Sequence, residues 1–277
     1  MCGHSEDVRS FGALRQPQDD IAFAVRTLVV FFLAMNMADD GQNELKTIDD
    51  RLAEFGEVVR QRLAPQFAAA GVPFPPKRLA FVGLKQERVL EVYAAGEDEV
   101  FRQVCAYAVL GASGVLGPKL REGDRQVPEG IYRIWELNPN SRFHLSLWVG
   151  YPNDFDLARA AEEDRWAPGG EIMIHGGDRS TGCLAVGDPA AEDLFVLAAL
   201  TGIENVSVVI SPVDFRNESL GEVPPDAPAW ACEVYEQVAA ELARYPRSLT
   251  SPADEPQPAD AADAAHKVES PAHTDQS

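Results

Sequence analysis

Two spacings of apolar residues divide the chain into regions of different predicted structure. Between residues 43 and 70, large apolar side chains recur at steps of three and four, which is the period of an amphipathic helix. Thr47 followed by Asp50 is typical of a helix N-terminus. The proline-rich segment 72–76 cannot continue a helix, so the pattern predicts a boundary there.

After residue 78 the apolar runs become short, and turn-forming residues separate them, as is typical of β-strands. The runs 79–84 and 89–93 flank a polar turn and predict a β-hairpin. Further strands are predicted at 104–110, 131–137, 143–149, 171–175 and 206–210, and helices at 190–200 and 229–245. The pattern therefore predicts an α+β fold that is rich in strands and has peripheral helices.

The first 38 residues predict an export segment. An apolar run at 27–38 is too short to cross a bilayer, but it has the length of the hydrophobic part of a signal peptide. A long segment of mixed charge precedes this run, so we predict that translation starts near Val25. The alternative is that the run is a buried helix of the folded protein.

Beyond residue 250 the composition changes. Residues 251–277 hold four prolines, six acidic residues and one lysine, with almost no large apolar side chains. Such a segment cannot offset the entropy lost on ordering, so we expect it to be disordered.

The charge of the chain excludes one class of function. The 277 residues carry a formal net charge of −20, whereas a nucleic-acid-binding protein needs a basic face to neutralise phosphates. The glycines form no dinucleotide-binding or P-loop pattern, so we expect neither a nucleic-acid partner nor a nucleotide cofactor.

The four cysteines are Cys2, Cys105, Cys183 and Cys232, and their spacing matches no zinc or Cys-x-x-Cys pattern. Cys105 and Cys232 lie in apolar surroundings and are predicted to be small buried residues. A disulfide between these two in an oxidising compartment is left open by the sequence.

Cys183 and His175 are the pair of residues with the clearest chemistry. An apolar, β-branched run delivers His175 to the end of a predicted strand, and a small polar loop follows it. The loop can return a thiol to the imidazole, which can take its proton or stabilise the thiolate. Gly182 lets backbone N–H groups approach a substrate carbonyl, as in an oxyanion hole. We therefore predict thiol-dependent acyl transfer.

Other polar residues leave alternatives open. His144 either lines the pocket or is a core histidine. His144, His175 and Cys183 could bind zinc, but zinc sites usually show a tighter ligand pair, so we expect no metal. Asp124 and Glu129 could form a carboxylate pair for glycoside chemistry, but their turn-rich context favours a structural role in a loop.

Two further residues are candidates for substrate contacts. Arg179 lies beside the loop and could grip a carboxylate through its planar guanidinium, or form an ion pair on the surface. Tyr151 could form one side of a groove or pack in the core.

Three stretches of sequence together resemble the catalytic domain of the L,D-transpeptidases (YkuD type), in its YafK-like branch. The stretches are 113–132, 137–146 with 150–153, and 175–188. They place the resemblance at residues 78–216. The short spacing between His175 and Cys183 fits that branch, whereas the commoner branch carries a second histidine where Thr181 stands here.

The resemblance implies a β-rich sandwich with a cysteine nucleophile, located in the bacterial periplasm or cell envelope. It implies that the substrates are the stem peptides of peptidoglycan, attacked beside diaminopimelate. Cys183 matches the nucleophile, His175 matches the proton donor and acceptor, and Gly182 and Ser180 match small residues that shape the loop. The candidate substrate-binding residues are Arg179, Ser180, His144 and Tyr151.

Several outcomes of this chemistry remain open. The thioester could pass to an amine, which is transpeptidation, or to water, which would release a lipoprotein from peptidoglycan. A non-catalytic wall-binding module and a cytosolic thiol hydrolase are further alternatives, and the sequence does not set the oligomeric state. The predicted organisation is an export segment at 1–38, a helix and boundary at 39–77, a catalytic domain at 78–216, a C-terminal helix at 217–250 and a tail at 251–277.

Overall fold

The computed structural model describes residues 45–217, 224 and 226–248, so the predicted export segment and the predicted tail lie outside it. The helices are α1 (Ile48–Ala70), α2 (Asp154–Glu162), α3 (Asp188–Thr201) and α4 (Ala231–Leu242). The strands are β1 (Arg78–Leu84), β2 (Val89–Ala95), β3 (Arg102–Ala108), β4 (Gly130–Asn138), β5 (Ser146–Val149), β6 (Met173–His175), β7 (Leu184–Ala185) and β8 (Val206–Ser211). Within these described ranges, no helix is both long and apolar enough to cross a membrane.

The eight strands form one hydrogen-bonded order, β3-β2-β1-β8-β4-β5-β6-β7. β1 pairs antiparallel with β2, as the hairpin prediction requires, and parallel with β8. The first half of β4 pairs with β8 and its second half pairs with β5, with an irregularity between Ile134 and Glu136. β4 therefore joins two halves of the sheet, and the short strands β5, β6 and β7 form the end that carries His175.

The two faces of the sheet bury different helices. Along β1, Leu79 and Phe81 belong to a core shared with α1 and α3, whereas Ala80 and Val82 belong to a core shared with α4. This alternation follows from the two-residue period of a strand, which sends successive side chains to opposite faces. Apolar residues on both faces of β1 therefore bury this strand between helices, and the prediction of a strand-rich α+β domain is confirmed.

Helix α1 begins where a capping box satisfies its first N–H groups. The Thr47 hydroxyl accepts from the Asp50 backbone N–H, and the Asp50 carboxylate accepts from the Thr47 N–H. Arg62 of α1 contacts Glu192 and Asp193 of α3, at 3.0 and 2.7 Å. The helix is therefore docked on the domain rather than extended away from it.

Three local expectations were wrong. The strand predicted at 143–149 begins only at Ser146, because His144 has a φ of 70° and belongs to a turn. Cys232 is exposed on α4 rather than buried, while Cys105 is partly covered; both thiols are free in this structure, a point that the sequence had left open. Helix α2, capped by Asn153, was not predicted from the spacing of apolar residues.

Candidate active site

Strands β6 and β7 bring the two ends of the 175–183 connection together. They pair in parallel, with Ile174 opposite Leu184 and His175 opposite Ala185. Cys183 precedes β7 by one residue, so the same register places it beside Met173, at the start of β6. Met173 and His175 are two residues apart on one strand, which corresponds to about 7 Å. The loop therefore returns the thiol to the strand that ends in His175.

His175 is a neutral imidazole held in one tautomer. Its ring is 1 % exposed and packs on the Phe143 ring, with centroids 4.5 Å apart. Nδ1 lies 2.6 Å from the carbonyl oxygen of Gly176, and because a carbonyl can only accept, Nδ1 carries the hydrogen. Burial lowers the pKa of His175, so near neutral pH Nε2 keeps a lone pair that can accept a proton.

The thiol of Cys183 is buried and hydrogen-bonded to the backbone. It donates to the carbonyl oxygen of Glu171 across 3.5 Å, and burial raises the pKa of the thiol. We expected this sulfur to share a hydrogen with His175, but within residues 45–217 its hydrogen bond goes to Glu171 instead. The physical reason is that Glu171, with a φ of 55°, turns its carbonyl toward the start of β6, where the sulfur lies.

The two N–H groups expected to bind an oxyanion are already paired. The N–H of Gly182 donates to the Ser113 hydroxyl at 2.7 Å, and the N–H of Cys183 donates to the Ser180 hydroxyl at 2.9 Å. Ser180 also donates to the Cys183 carbonyl, so it folds the loop rather than facing a ligand. The oxyanion hole at Gly182 and a ligand contact by Ser180 therefore stay predictions, and each would require one of these hydrogen bonds to be replaced.

Two cavities meet at Gly170 and Glu171, beside the thiol. One, of about 220 Å³, is lined by charged side chains and by the backbone before Cys183. These lining residues are Lys119, Glu122, Gly123, Arg125, Gly170, Glu171, Ile172, Thr181 and Gly182. The other, of about 320 Å³, is lined largely by aromatic residues, including Trp135, Trp148 and Tyr151. The sulfur thus lies near the junction of a charged cavity and an aromatic one.

The remaining predicted residues are distributed around this centre. Tyr151 lines the aromatic cavity, but its hydroxyl lies 3.1 Å from the carbonyl oxygens of Lys119 and Pro168, so it also braces the loops. The His144 ring contacts Glu192 of α3 at 3.1 Å and packs edge-on against Phe55 of α1. His144 therefore bridges α1 and α3 in this structure, and its role as a substrate-binding residue stays a prediction.

Arg179 is exposed, and in the described part of the chain its side chain makes no hydrogen bond or ion pair. It lines neither of the two cavities beside the thiol. Binding of a substrate carboxylate by Arg179 therefore stays a prediction.

Asp124 and Glu129 order the loop that walls the charged cavity, as the favoured interpretation predicted. Asp124 accepts from Lys119 and from the N–H groups of Leu120, Arg121 and Gln126. Glu129 accepts from Lys85, from the Gly117 N–H and from the Tyr235 hydroxyl. Both carboxylates are thus consumed by structural contacts. Over the described residues, no group of three or more His, Cys, Asp or Glu side chains could hold a metal ion.

Sequence reasoning missed three residues that shape the site: Ser113, Lys119 and Glu171. Ser113 and Lys119 fall within one of the stretches that carry the resemblance, so their presence was noted without a role. Glu171 acts through its backbone carbonyl and its positive φ, and neither feature is marked by the residue type.

The domain thus ends strand β6 in a buried histidine, and the loop that follows returns Cys183 to the same strand. Residues 77–210 match the family model of the L,D-transpeptidase catalytic domain, YkuD. This segment is therefore similar to that family, and the resemblance predicted from the sequence is confirmed.

Individual relatives agree with this assignment. YafK of Escherichia coli K12, provisionally named an L,D-transpeptidase, is 36% identical over 133 residues, which are 46% of this chain and 51% of YafK. The protein of the same name from E. coli O157:H7 gives the same figures. The chain thus spans about half the length of the curated relatives that it matches.

Among solved structures, the chain is similar to the helical cell shape determining protein Pgp2 of Campylobacter jejuni. The TM-score is 0.40 at 23% identity, over 49% of this chain and 48% of Pgp2. It is also similar to L,D-transpeptidase 1 of Mycobacterium tuberculosis, with a TM-score of 0.29 at 14% identity, over 48% of this chain and 62% of that one.

Proposed function

We propose that this chain is a cysteine-dependent acyltransferase that acts on peptidoglycan stem peptides at diaminopimelate. Cys183 is the nucleophile and His175 is the proton acceptor and donor, within a catalytic unit at residues 78–216. The observation that carries the proposal is the 2.6 Å contact between His175 Nδ1 and the Gly176 carbonyl. That contact fixes the tautomer and leaves a basic Nε2 on the strand to which the thiol returns.

The reaction starts from a neutral thiol and a neutral imidazole. The Cys183 side chain leaves the Glu171 carbonyl by turning about its Cα–Cβ bond, which has three staggered positions. Nε2 of His175 takes the thiol proton, and the sulfur attacks the peptide carbonyl carbon. The C–N bond then breaks, and His175 returns the proton to the departing amine. This step leaves a thioester on Cys183.

The oxyanion that forms on the substrate needs hydrogen-bond donors. The nearest backbone N–H groups already donate to the hydroxyls of Ser113 and Ser180. The N–H groups of Gly182 and Cys183 lie next to the sulfur in sequence, and each is paired with a serine hydroxyl. In this proposal the substrate oxygen replaces one hydroxyl, and the freed N–H stabilises its charge. Each such donor typically contributes about 10²–10³ in rate.

The acceptor of the thioester decides between the two products. An amine gives a new crosslink, whereas water gives hydrolysis, including release of a peptidoglycan-linked lipoprotein. The protonated thiol and the paired N–H groups favour one competing function, a wall-binding module without catalysis. That module would bind peptidoglycan and form no thioester.

We further propose that the protein acts in the periplasm or cell envelope, because its proposed substrate lies there. The apolar segment within residues 1–38 would then serve export. N-terminal sequencing of the mature protein tests this. A mature chain that still begins at Met1 would contradict it.

Cys183→Ala, compared with Cys232→Ala as a matched control, tests the chemistry. Cys232 is exposed on α4, so its replacement removes a thiol without touching the site. Both variants are incubated with purified muropeptides and with lipoprotein-linked peptidoglycan, and the products are identified by mass spectrometry. We expect turnover with the control and none with Cys183→Ala.

An acylating carbapenem provides a second readout, because a covalent adduct on the peptide that contains Cys183 reports thioester formation directly. Turnover that persists in Cys183→Ala would refute the proposal. Binding to peptidoglycan without turnover or adduct in the unmodified protein would favour the wall-binding module.

A further inference from the structure

The charged cavity beside Cys183 holds both signs of charge in a small volume. Its space of about 220 Å³ is lined by two basic residues, Lys119 and Arg125, and by two acidic residues, Glu122 and Glu171. The backbone of Thr181 and Gly182, just before the nucleophile, forms another part of its wall. A ligand group in this cavity would therefore lie next to the reacting sulfur.

Lys119 is a buried cation with a donor to spare. Its side chain is 5 % exposed, and its ammonium donates to the Arg121 carbonyl at 2.9 Å and to Asp124 at 2.5 Å. An ammonium has three N–H donors, and across the described residues the third makes no hydrogen bond, although the ammonium lies 5.9 Å from the centre of the Tyr151 ring. Its positive charge also acts on the thiol of Cys183, whose pKa it lowers.

The other charged residues of the cavity differ from Lys119, which is paired with Asp124. Arg125, Glu122 and Glu171 are exposed, and none of their side chains forms an ion pair with another described residue. Many of the arginines elsewhere in the domain, such as Arg62, are paired with carboxylates. Two cations and two carboxylates around one cavity, each with capacity left, match a ligand that carries one charge of each sign.

We propose that this cavity binds the free amino-acid end of the substrate side chain, a carbon that carries both an ammonium and a carboxylate. Lys119 and Arg125 bind the carboxylate, and Glu122 and Glu171 bind the ammonium. The proposal rests on the proposed function, because diaminopimelate has such an end beyond the amide that is attacked. It names the group by which the site distinguishes this residue from a lysine, which lacks the carboxylate.

Binding to the full chain carrying Cys183→Ala tests this, because this variant cannot consume its ligand. Three tetrapeptides are titrated by calorimetry: one with diaminopimelate, one with its side-chain carboxylate amidated, and one with lysine instead. We expect the first to bind about tenfold more tightly than the other two, since a charge-assisted contact is lost in both.

Arg125→Gln, added to the Cys183→Ala chain, should lower the affinity for the diaminopimelate peptide about tenfold and leave the affinity for the other two peptides unchanged. Glu122→Gln should instead lower the affinity for the peptides that have a free side-chain ammonium. It should not change the affinity for a peptide in which that amine is acetylated. Arg60→Gln is the control, because Arg60 is an equally exposed arginine on α1, outside the cavity.

Equal affinity for all three peptides, no measurable binding of any, or equal effects of Arg125→Gln and Arg60→Gln would each overturn the assignment. Failure of the proposed function looks different. In that case the Cys183→Ala protein still prefers the diaminopimelate peptide, while the unmodified protein forms no thioester.

Discussion

The hydroxyl of Ser113 accepts a hydrogen bond from the backbone N–H of Gly182 at 2.7 Å. The same hydroxyl donates to the carbonyl of Arg125 at 2.7 Å, so one side chain ties the loop before Cys183 to the wall of the charged cavity. The position of the loop before Cys183 therefore depends on a residue 69 positions before Gly182 in the chain.

Ser113→Ala should impair activity more than stability. The variant loses two hydrogen bonds, which together contribute about 1–3 kcal/mol to the free energy of unfolding. Because a displacement of about 1 Å at the reacting atoms can cost roughly 100-fold in rate, we expect kcat/KM to fall at least about tenfold. Urea unfolding and muropeptide turnover measure the two effects.

Ser211→Ala is the control for this variant, since Ser211 also donates to a backbone carbonyl, that of Val213, but lies outside the site. Equal losses of activity in the two variants would show that Ser113 has no special part in positioning the loop.

The thiol of Cys183 should react slowly near neutral pH. Burial raises its pKa, so the nucleophilic thiolate is scarce below about pH 9, the ordinary range of a cysteine. Iodoacetamide should therefore label Cys183 more slowly than free cysteine at pH 7.5, with the rate still rising above pH 9. Peptide mapping by mass spectrometry gives the rate, and a plateau reached by pH 6 would instead reveal a preformed thiolate.

The value of kcat/KM should fall at acidic pH, because His175 becomes protonated and can no longer accept a proton. Burial lowers the pKa of His175 below its ordinary value of 6.5, so the neutral acceptor persists to lower pH than in a free histidine. The acidic limb of the kcat/KM profile should thus fall below pH 6.5. A limb well above pH 7 would argue against His175 as the proton acceptor.

The buried pair of Lys85 and Glu129 should be important for stability. The ammonium and the carboxylate lie 2.8 Å apart, and their side chains are 7 % and 0 % exposed. Lys85→Met leaves the carboxylate buried without its partner, which should cost about 3–5 kcal/mol. The double variant Lys85→Met/Glu129→Gln should recover part of this loss in urea unfolding. Glu57→Gln, in an exposed pair on α1, should leave stability unchanged.

Asp156 should make the domain less stable as pH rises. Burial raises the pKa of this carboxyl to about 6, from an ordinary value of 3.8, so the folded state holds its proton longer than the unfolded state. Its contribution is present below pH 4 and is lost as pH rises through about 6. Relative to Asp156→Asn, the unmodified protein should lose on the order of 1–3 kcal/mol between pH 4 and 7. Asp154→Asn, an exposed neighbour in the first turn of α2, should keep the original pH dependence.

The periodic parts of the fold could be predicted from the sequence because their signals are local. Residues 79–84 and 89–93 became the hairpin of β1 and β2, and Ile48–Ala70 became α1, since apolar spacing fixes which face each element buries. Helix α2 was missed because only Asp156 and Ala160 of its nine residues are buried, which leaves little apolar pattern to detect.

The sequence by itself determined that His175 ends a strand, that a short polar loop leads from it to Cys183, and that the surrounding stretches match one family. Those features are carried by residue types and their spacing. Only the tertiary structure decided which groups the thiol and the loop contact: the Glu171 carbonyl and the hydroxyls of Ser113 and Ser180. Every residue carries a carbonyl and almost every residue carries an N–H, so sequence cannot mark the one that is used. The choice is made by the loops that the sheet brings together.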